Sequence, residues 1–507
     1  MSDWGSGYVT DMAYVHDFCR VQTPPMLALA TLSGGLLSVG GRSEPLVYCD
    51  VGCGQGYTAN VIAAANPAAR VFGYDFNPGH VANARSLAAE AGLRNVEFRE
   101  ASFAELADDP ALPDFDIMAM HGVYSWVSPD NRRALAALAR RRLKPGGLLY
   151  ISYDCMPGWA AVAPLRQIFA RSFSPKQGGS QHAIERALAY FDQLRASDAR
   201  FFKMFPNVEA QIERLKATPR AYLAHELLPR DWEAFSFGAV AEALAEAKLD
   251  FVGSAHAPDG VDRLNFTDEQ AAFLSGLDDP LLAEATRDMI LCRQFRRDVF
   301  VKGRPAATAA ALRARWLDTR FALTIPARDV ELTFDTPAGK FQLHPQIHAP
   351  LLAAFADGPI TLGAALQRAF GGDAGFNAAT DAVKVLIGRG DLQPALPAEG
   401  NDARAAATRD FNSAVLARTA RGEDLFYLAS PVTGGGVRVD RLTQLYLAAK
   451  RKGAEDPAGF VANVVGAIEQ PAQTNGEDAG ARDKALRARL AHIENSIAPT
   501  LAKVGIA

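Results

Sequence analysis

Residues 46–58, LVYCDVGCGQGYT, constrain the architecture of this chain more than any other stretch. Leu46, Val47, Tyr48, Cys49 and Val51 form an apolar run broken only by Asp50, the pattern of a parallel strand buried on both faces. Gly52, Gly54 and Gly56 follow at alternate positions, and an alanine-rich helical stretch begins at Tyr57. Strand, glycine turn and helix open a dinucleotide-type α/β unit. Glycine lets the backbone pass close under a ligand and adopt conformations closed to other residues. The spacing is D-x-G-x-G-x-G rather than G-x-G-x-x-G. A carboxylate at the end of the strand would repel a pyrophosphate, and it suits a ligand that carries an ammonium or sulfonium group.

A second apolar run, 71–75, ends in Asp75, whose carboxylate is placed to accept hydrogen bonds from ribose hydroxyls. Further strands are expected at 96–98, 115–120 and 148–153. Helices are expected at 78–92, capped by Asn77, and at 131–143, with Lys144-Pro145-Gly146-Gly147 as a turn. This alternation predicts a doubly wound parallel sheet with ligands at the carboxyl ends of its strands. Residues 161–231 read as a helical insertion, and strands at 249–253 and 298–301 complete the sheet within 232–303. The chain then divides into 1–160, the two segments just named, a strand-and-helix module at 304–397 with a winged-helix-like pattern, and a mostly helical part at 398–507. The segment before the first strand is expected to be a helical lead-in broken at Thr23-Pro24-Pro25, and 470–483 a polar loop.

At 507 residues, with 49% hydrophobic and 22% charged residues, the chain has the composition of a globular protein of several domains. A net charge of -4 offers no electrostatic case for nucleic acid or membrane surfaces. Asp357, Asp373, Asp381 and Asp391 interrupt any basic face on the winged-helix-like segment, which favours protein contact there. No secretory signal or membrane-spanning run is present, and five scattered cysteines are expected to be reduced and at least partly buried, as in a cytoplasmic protein. His344 and His348 lack a third ligand, so no metal site is expected.

Asp50 through Gly56, followed by Asp75, resemble the class I S-adenosylmethionine (AdoMet)-dependent methyltransferases. The resemblance implies a Rossmann-like sheet and AdoMet as cofactor, with Asp50, Gly52, Gly54, Gly56, Asp75 and Phe76 around its methionine and ribose portions. Ser102 and Phe103 stand where the adenine is lined, although an Asp is usual at that turn. Tyr8 and Tyr14, ahead of the first strand, are candidates to touch the cofactor. His121-Gly122-Val123-Tyr124-Ser125-Trp126-Val127 follows the fourth strand, where the methyl acceptor approaches. Tyr124 and Trp126 are the acceptor-side candidates, with His121 beside the cofactor and Tyr153, Asp154 and Trp159 as secondary ones.

The chain is also similar to a narrower group, the bacterial methyltransferases with a methyltransferase regulatory domain, which includes the rickettsial-type protein-lysine enzymes. The His121–Val127 stretch, Tyr222 with His225-Glu226-Leu227-Leu228, Phe295-Arg296-Arg297-Asp298-Val299-Phe300 and Leu428-Ala429-Ser430-Pro431 carry that similarity. It implies transfer to amino groups of a protein substrate, often by a homodimer, with Tyr222, His225 and Glu226 near the cleft. Two alternatives stay open at this level: methylation of a small molecule or nucleic acid, and AdoMet binding without turnover.

Overall fold

Val47–Val51 (β1) is buried at all five positions, as its apolar run requires of a central strand. The computed structural model describes residues 5, 7–12, 14–37, 45–172, 178–373, 375–468 and 476–507. β1 lies parallel between Arg70–Asp75 (β2) and Phe115–Met120 (β4), with Val96–Glu100 (β3) beyond β2 and Leu143–Asp154 (β5) beyond β4. Phe295–Lys302 (β7) runs antiparallel to β5 and separates it from Leu249–Ser254 (β6). The order is β3-β2-β1-β4-β5-β7-β6, a Rossmann-like class I methyltransferase sheet with one reversed strand. The chain changes direction across the sheet between β1 and β4, so a ligand crevice opens above their carboxyl ends.

The helices are Pro24–Ser33 (α1), Tyr57–Ala65 (α2), Pro78–Glu90 (α3), Phe103–Asp108 (α4) and Pro129–Arg142 (α5). α3 starts where the sequence places it: the Asn77 side chain accepts the Gly79 N–H at 2.9 Å and Pro78 fills the first turn. Two expectations fail locally. Residues 14–19 have no regular structure, and Pro24 and Pro25 begin a helix rather than break one, because a first turn leaves its N–H groups unpaired anyway. Lys144–Gly147 belongs to β5. Gly146 takes φ +76°, and the pairing with β4 shifts register between Phe115 and Ile117, so the segment is a bulge.

Ala163–Ser172 (α6), Gly179–Ala196 (α7), Arg200–Met204 (α8), Asn207–Ala217 (α9) and Arg220–Leu227 (α10) surround their own apolar centre of Phe169, Ile184, Phe191 and Leu223. Val9 from the N-terminal segment joins that centre. Past residue 304, strands Ile360–Thr361, Arg320–Leu323 and Leu392–Ala395 form an antiparallel sheet beside the hairpin Thr333–Thr336 and Gly339–Gln342. Helices Pro345–Phe355, Leu362–Phe370 and Phe376–Arg389 complete this winged-helix-like part, whose Leu351 and Leu386 share a core with Leu27 and Tyr48.

The Asn401–Ala420 helix and the hairpin Tyr427–Ser430 with Gly435–Arg438 pack on α2. The Tyr57 hydroxyl donates to the Tyr427 carbonyl, and Asn66 Nδ2 to the Gly434 carbonyl at 2.9 Å. Residues 470–475 of the expected polar loop lie outside the described residues. Its remainder opens the helix Gly476–His492, in keeping with its content of alanine, lysine and arginine. Cys292 is also a correction: it caps the Pro280–Leu291 helix in the left-handed region at φ 46° and is exposed, while the other four cysteines are buried or half-buried. No helix among the described residues is long and apolar enough to cross a membrane.

Candidate active site

The glycine turn after β1 is held open by backbone geometry. Gly52, Gly54 and Gly56 all have positive φ, +74°, +52° and +68°. A Cβ on Gly52 would come within 2.5 Å of Val123, and one on Gly56 would collide with Ala84 and Phe98. Gly56 therefore serves the packing of α2 against α3 and β3, and it does not line the cavity that Gly52 and Gly54 do. The Gly52 and Cys53 N–H groups donate to the Tyr74 carbonyl at 2.8 and 3.0 Å.

Asp75 ties this turn to β2. Its Oδ2 accepts the Gly54 N–H at 2.9 Å, its Oδ1 accepts the Asn77 N–H at 2.9 Å, and His80 Nδ1 lies 3.3 Å from Oδ1. A carboxylate offers about four lone-pair positions, so one remains for a ligand hydroxyl in the cavity that Asp75 lines. His80 was not singled out in the sequence. The signal was present, because a helix that starts at Pro78 puts residue 80 back over the end of β2.

The cavity has a volume of about 390 Å³, within the range of small-molecule sites. Tyr14, Phe76, Ser102, Phe103, His121 and Trp126 line it with Gly52, Gly54 and Asp75. Tyr14 crosses the glycine turn, since a Cβ on Gly54 would stand 3.4 Å from its ring. Ser102 is used in a capping box: its hydroxyl accepts the Glu105 N–H and donates to Glu105 Oε2, which also takes the Ser102 N–H at 2.7 Å. Its side chain is thereby spent on the start of α4, and the neighbouring Phe103 lines the cavity beside it.

Asp50, 3% exposed, sits beneath the cavity rather than in its wall; burial pushes its carboxyl up to about 7. His121 is fixed by Tyr150 Oη at 2.8 Å and Ser152 Oγ at 3.1 Å from Nδ1, and burial lowers its pKa. Tyr124 does not reach the cavity. In the tight turn Tyr124–Trp126 its ring packs on Phe235 and Tyr153, with the Arg132 guanidinium 5.9 Å from its centre. Trp126, two residues on, does line the cavity, and its indole N–H donates to the Glu226 carbonyl at 3.3 Å.

Beyond Trp126 the surroundings turn acidic. Asp154, at the end of β5, accepts the Trp232 indole N–H at 2.7 Å, and burial raises it to about 7. Glu226 on α10 is raised to about 8 by burial and by Asp154, and its carboxyl is bonded to Tyr222. The rings of Tyr8 and Tyr14 stand 5.5 and 5.0 Å from that of His225, whose Nε2 lies 3.0 Å from the Met12 carbonyl. Tyr222 is itself 41% exposed, at the outer edge of this cluster. The donor set thus fits a ribose, an amino-acid tail over bare backbone and a cationic centre, the parts of AdoMet.

Residues 43–198 match the family described as methyltransferase domain, and residues 219–302 the one described as predicted methyltransferase regulatory domain. An uncharacterized protein of Synechocystis sp. is 37% identical over 454 residues, spanning 90% of this chain and 89% of the relative. An uncharacterized protein of Rickettsia prowazekii is 25% identical over 188 residues, 36% of this chain and 73% of the relative. In fold the chain is similar to PKMT2 from Rickettsia typhi solved in complex with AdoHcy, with a TM-score of 0.68, 19% identity, and coverage of 97% of this chain and 99% of that one. Sheet order, glycine turn and these matches agree: the chain belongs to the class I AdoMet-dependent methyltransferases that carry a methyltransferase regulatory domain.

Proposed function

We propose that this methyltransferase acts on amino groups, in particular the lysine side chains of a protein. The observation that carries the reading is the pair Asp154, buried, and Glu226, half-buried, carboxyls on the acceptor side that form no lysine or arginine ion pair among the described residues, with only Arg166 acting on Asp154 from a distance. An uncompensated carboxylate in a low-dielectric site is costly, and an incoming ammonium relieves that cost. Rings of Trp126, Tyr8 and Tyr14 line the cavity next to this pair, the Trp126 indole N–H on the Glu226 carbonyl, and aromatic faces tolerate cations. Bound AdoMet supplies a methyl group already activated on a sulfonium. The chain's task is then to orient the amine, exclude water and remove one proton from it.

Asp75, Gly52, Gly54, Tyr14, Phe76 and Phe103 hold the cofactor in this reading, His121 packs beside it and Trp126 walls the acceptor. The helices within 161–231 cover the acceptor side, and 304–397 and 398–507 present the protein substrate. PKMT2 from Rickettsia typhi, solved in complex with AdoHcy, shares the whole architecture, and that likeness supports a protein acceptor. Incubation with methyl-labelled AdoMet and a bacterial lysate tests it. Label in protein, recovered on lysine after hydrolysis, is the expected result. Label confined to nucleic acid or small molecules, or no transfer at all, overturns it.

A further inference from the structure

A second cavity of about 770 Å³ shares Gly7 and Tyr8 with the wall of the first, and Asp11, Arg166, Arg171 and Arg230 also line it. Arg166 on α6 is the unusual member. Only 5% exposed, it has no ion pair among the described residues. One Nη donates to the Pro229 carbonyl, the guanidinium lies 5.2 Å from the centre of the Trp232 ring, and Nε is buried without a hydrogen-bond partner.

A buried guanidinium is normally matched by a carboxylate, because removing an unpaired charge from water costs several kcal/mol. The strain on this one is visible in its pKa, which burial pulls down to about 10 although Asp154 and Asp231 act on it from a distance. The other charges in the cavity do not supply the missing partner. Asp11 is committed to Ser180, whose N–H and hydroxyl it accepts at 2.8 and 2.5 Å. Arg230 is paired with Asp231 at 3.1 Å, and Arg171 is exposed on the rim.

We propose that this cavity is a carboxylate-binding subsite in which Arg166 receives the side chain of an aspartate or glutamate close in sequence to the acceptor lysine. A guanidinium fork matches a carboxylate in shape. Asp11, which lines the same cavity, disfavours a doubly charged group such as a phosphate, so a single negative charge fits best. The shared wall at Gly7 and Tyr8 puts the subsite within a few residues of the acceptor, at about 3.3 Å per extended residue. The inference rests on the lysine reading above.

The test is binding by the full chain with AdoHcy present, read by anisotropy of fluorescein-labelled lysine peptides that carry Glu, or isosteric Gln, at each position from three before to three after the lysine. At one or two positions the Glu peptide should bind about tenfold more tightly than its Gln partner, the size of one charge-assisted pair. That preference should shrink to within about twofold in Arg166→Gln, with AdoHcy affinity retained as the sign of an intact fold. Should Arg166→Gln not fold, Arg166→Lys, which keeps the charge and loses the fork, must weaken the preference. Equal binding of Glu and Gln peptides at every position, or a preference unchanged in these variants, overturns the proposal. If free glutarate raises the Tm of the wild type and not of Arg166→Gln while peptides show no preference, the carboxylate belongs to a small molecule and the peptide source is overturned. Peptides that bind with the Glu preference but take no label from AdoMet count against the lysine reading and leave the subsite standing.

Discussion

Asp75 anchors the glycine turn, and in the proposed reading it also keeps a lone pair for the cofactor. Replacing it with alanine removes a charge-assisted bond and loosens Gly54 as well. AdoMet affinity should fall about tenfold to a hundredfold, roughly 1.5–3 kcal/mol, by calorimetry. The two aromatics of the Tyr124–Trp126 turn should separate cleanly. Trp126→Ala is expected to abolish turnover with AdoMet affinity kept, and Tyr124→Phe to leave both within about twofold of the wild type, since its ring faces the core and not the cavity. Asp50, Asp154 and Glu226 set the pH behaviour, with carboxyls raised to about 7, about 7 and about 8. In an unfolded chain such groups ionise near pH 4. Between that point and the folded values the native state holds more protons, so stability falls as pH rises through the window and levels above it. The Tm of the ligand-free protein should drop between about pH 5 and 8, and Glu226→Gln should flatten part of the slope. An unaltered slope would mean that Glu226 is already ionised in the folded chain.

At the level of elements, the glycine turn is held from behind by a part of the chain more than three hundred residues away. Gln55 Nε2 donates to the Tyr14 carbonyl at 3.2 Å, Asn83 Nδ2 to Gln55 Oε1 at 2.8 Å, and Arg418 Nη1 to Asn83 Oδ1 at 3.0 Å. Arg418, its side chain 4% exposed, also grips Glu90. The Asn401–Ala420 helix therefore positions the strap that carries Tyr14 across the cofactor site. Arg418→Ala should raise the AdoMet Kd several-fold with little change in kcat at saturation, as titration and turnover would show. An unchanged Kd would reduce this relay to packing. Such a connection was not legible in the sequence, since a contact between residues 83 and 418 leaves no spacing to read. The strands and α3 were legible because burial on both faces, a capping Asn and a first-turn Pro are local signals. The direction of Tyr124 against Trp126 was not, because a three-residue turn has no periodicity that assigns faces. Glu226 stood in a motif, but its closeness to Asp154 at the end of β5 exists only in the folded chain.

Across the whole molecule, β7 is fastened by a buried ionic cluster. Arg296, its side chain 3% exposed, reaches Asp298 and Asp288 at 2.8 Å each and Glu284 at 2.8 Å, while the Tyr153 hydroxyl of β5 donates to Asp298 at 2.7 Å. Arg293 still reaches Asp288 at 3.0 Å, but removing Arg296 leaves Asp298 without an ion pair in the interior, so Arg296→Ala should cost about 3–5 kcal/mol and lower Tm measurably. A loss below about 1 kcal/mol would show that the acids reprotonate without penalty. The wedged position of β7 also bears on how the protein is made. Its twelve-residue neighbour β5 leaves the ribosome with one flank bare, and the strand that covers it, Phe295–Lys302, comes only after α6 to α10, four further helices and β6 have been synthesised. At about 5–20 residues per second that wait is on the order of ten to thirty seconds. During it the nascent chain carries an open, apolar sheet edge, a ready target for chaperones or for pairing with a neighbouring copy.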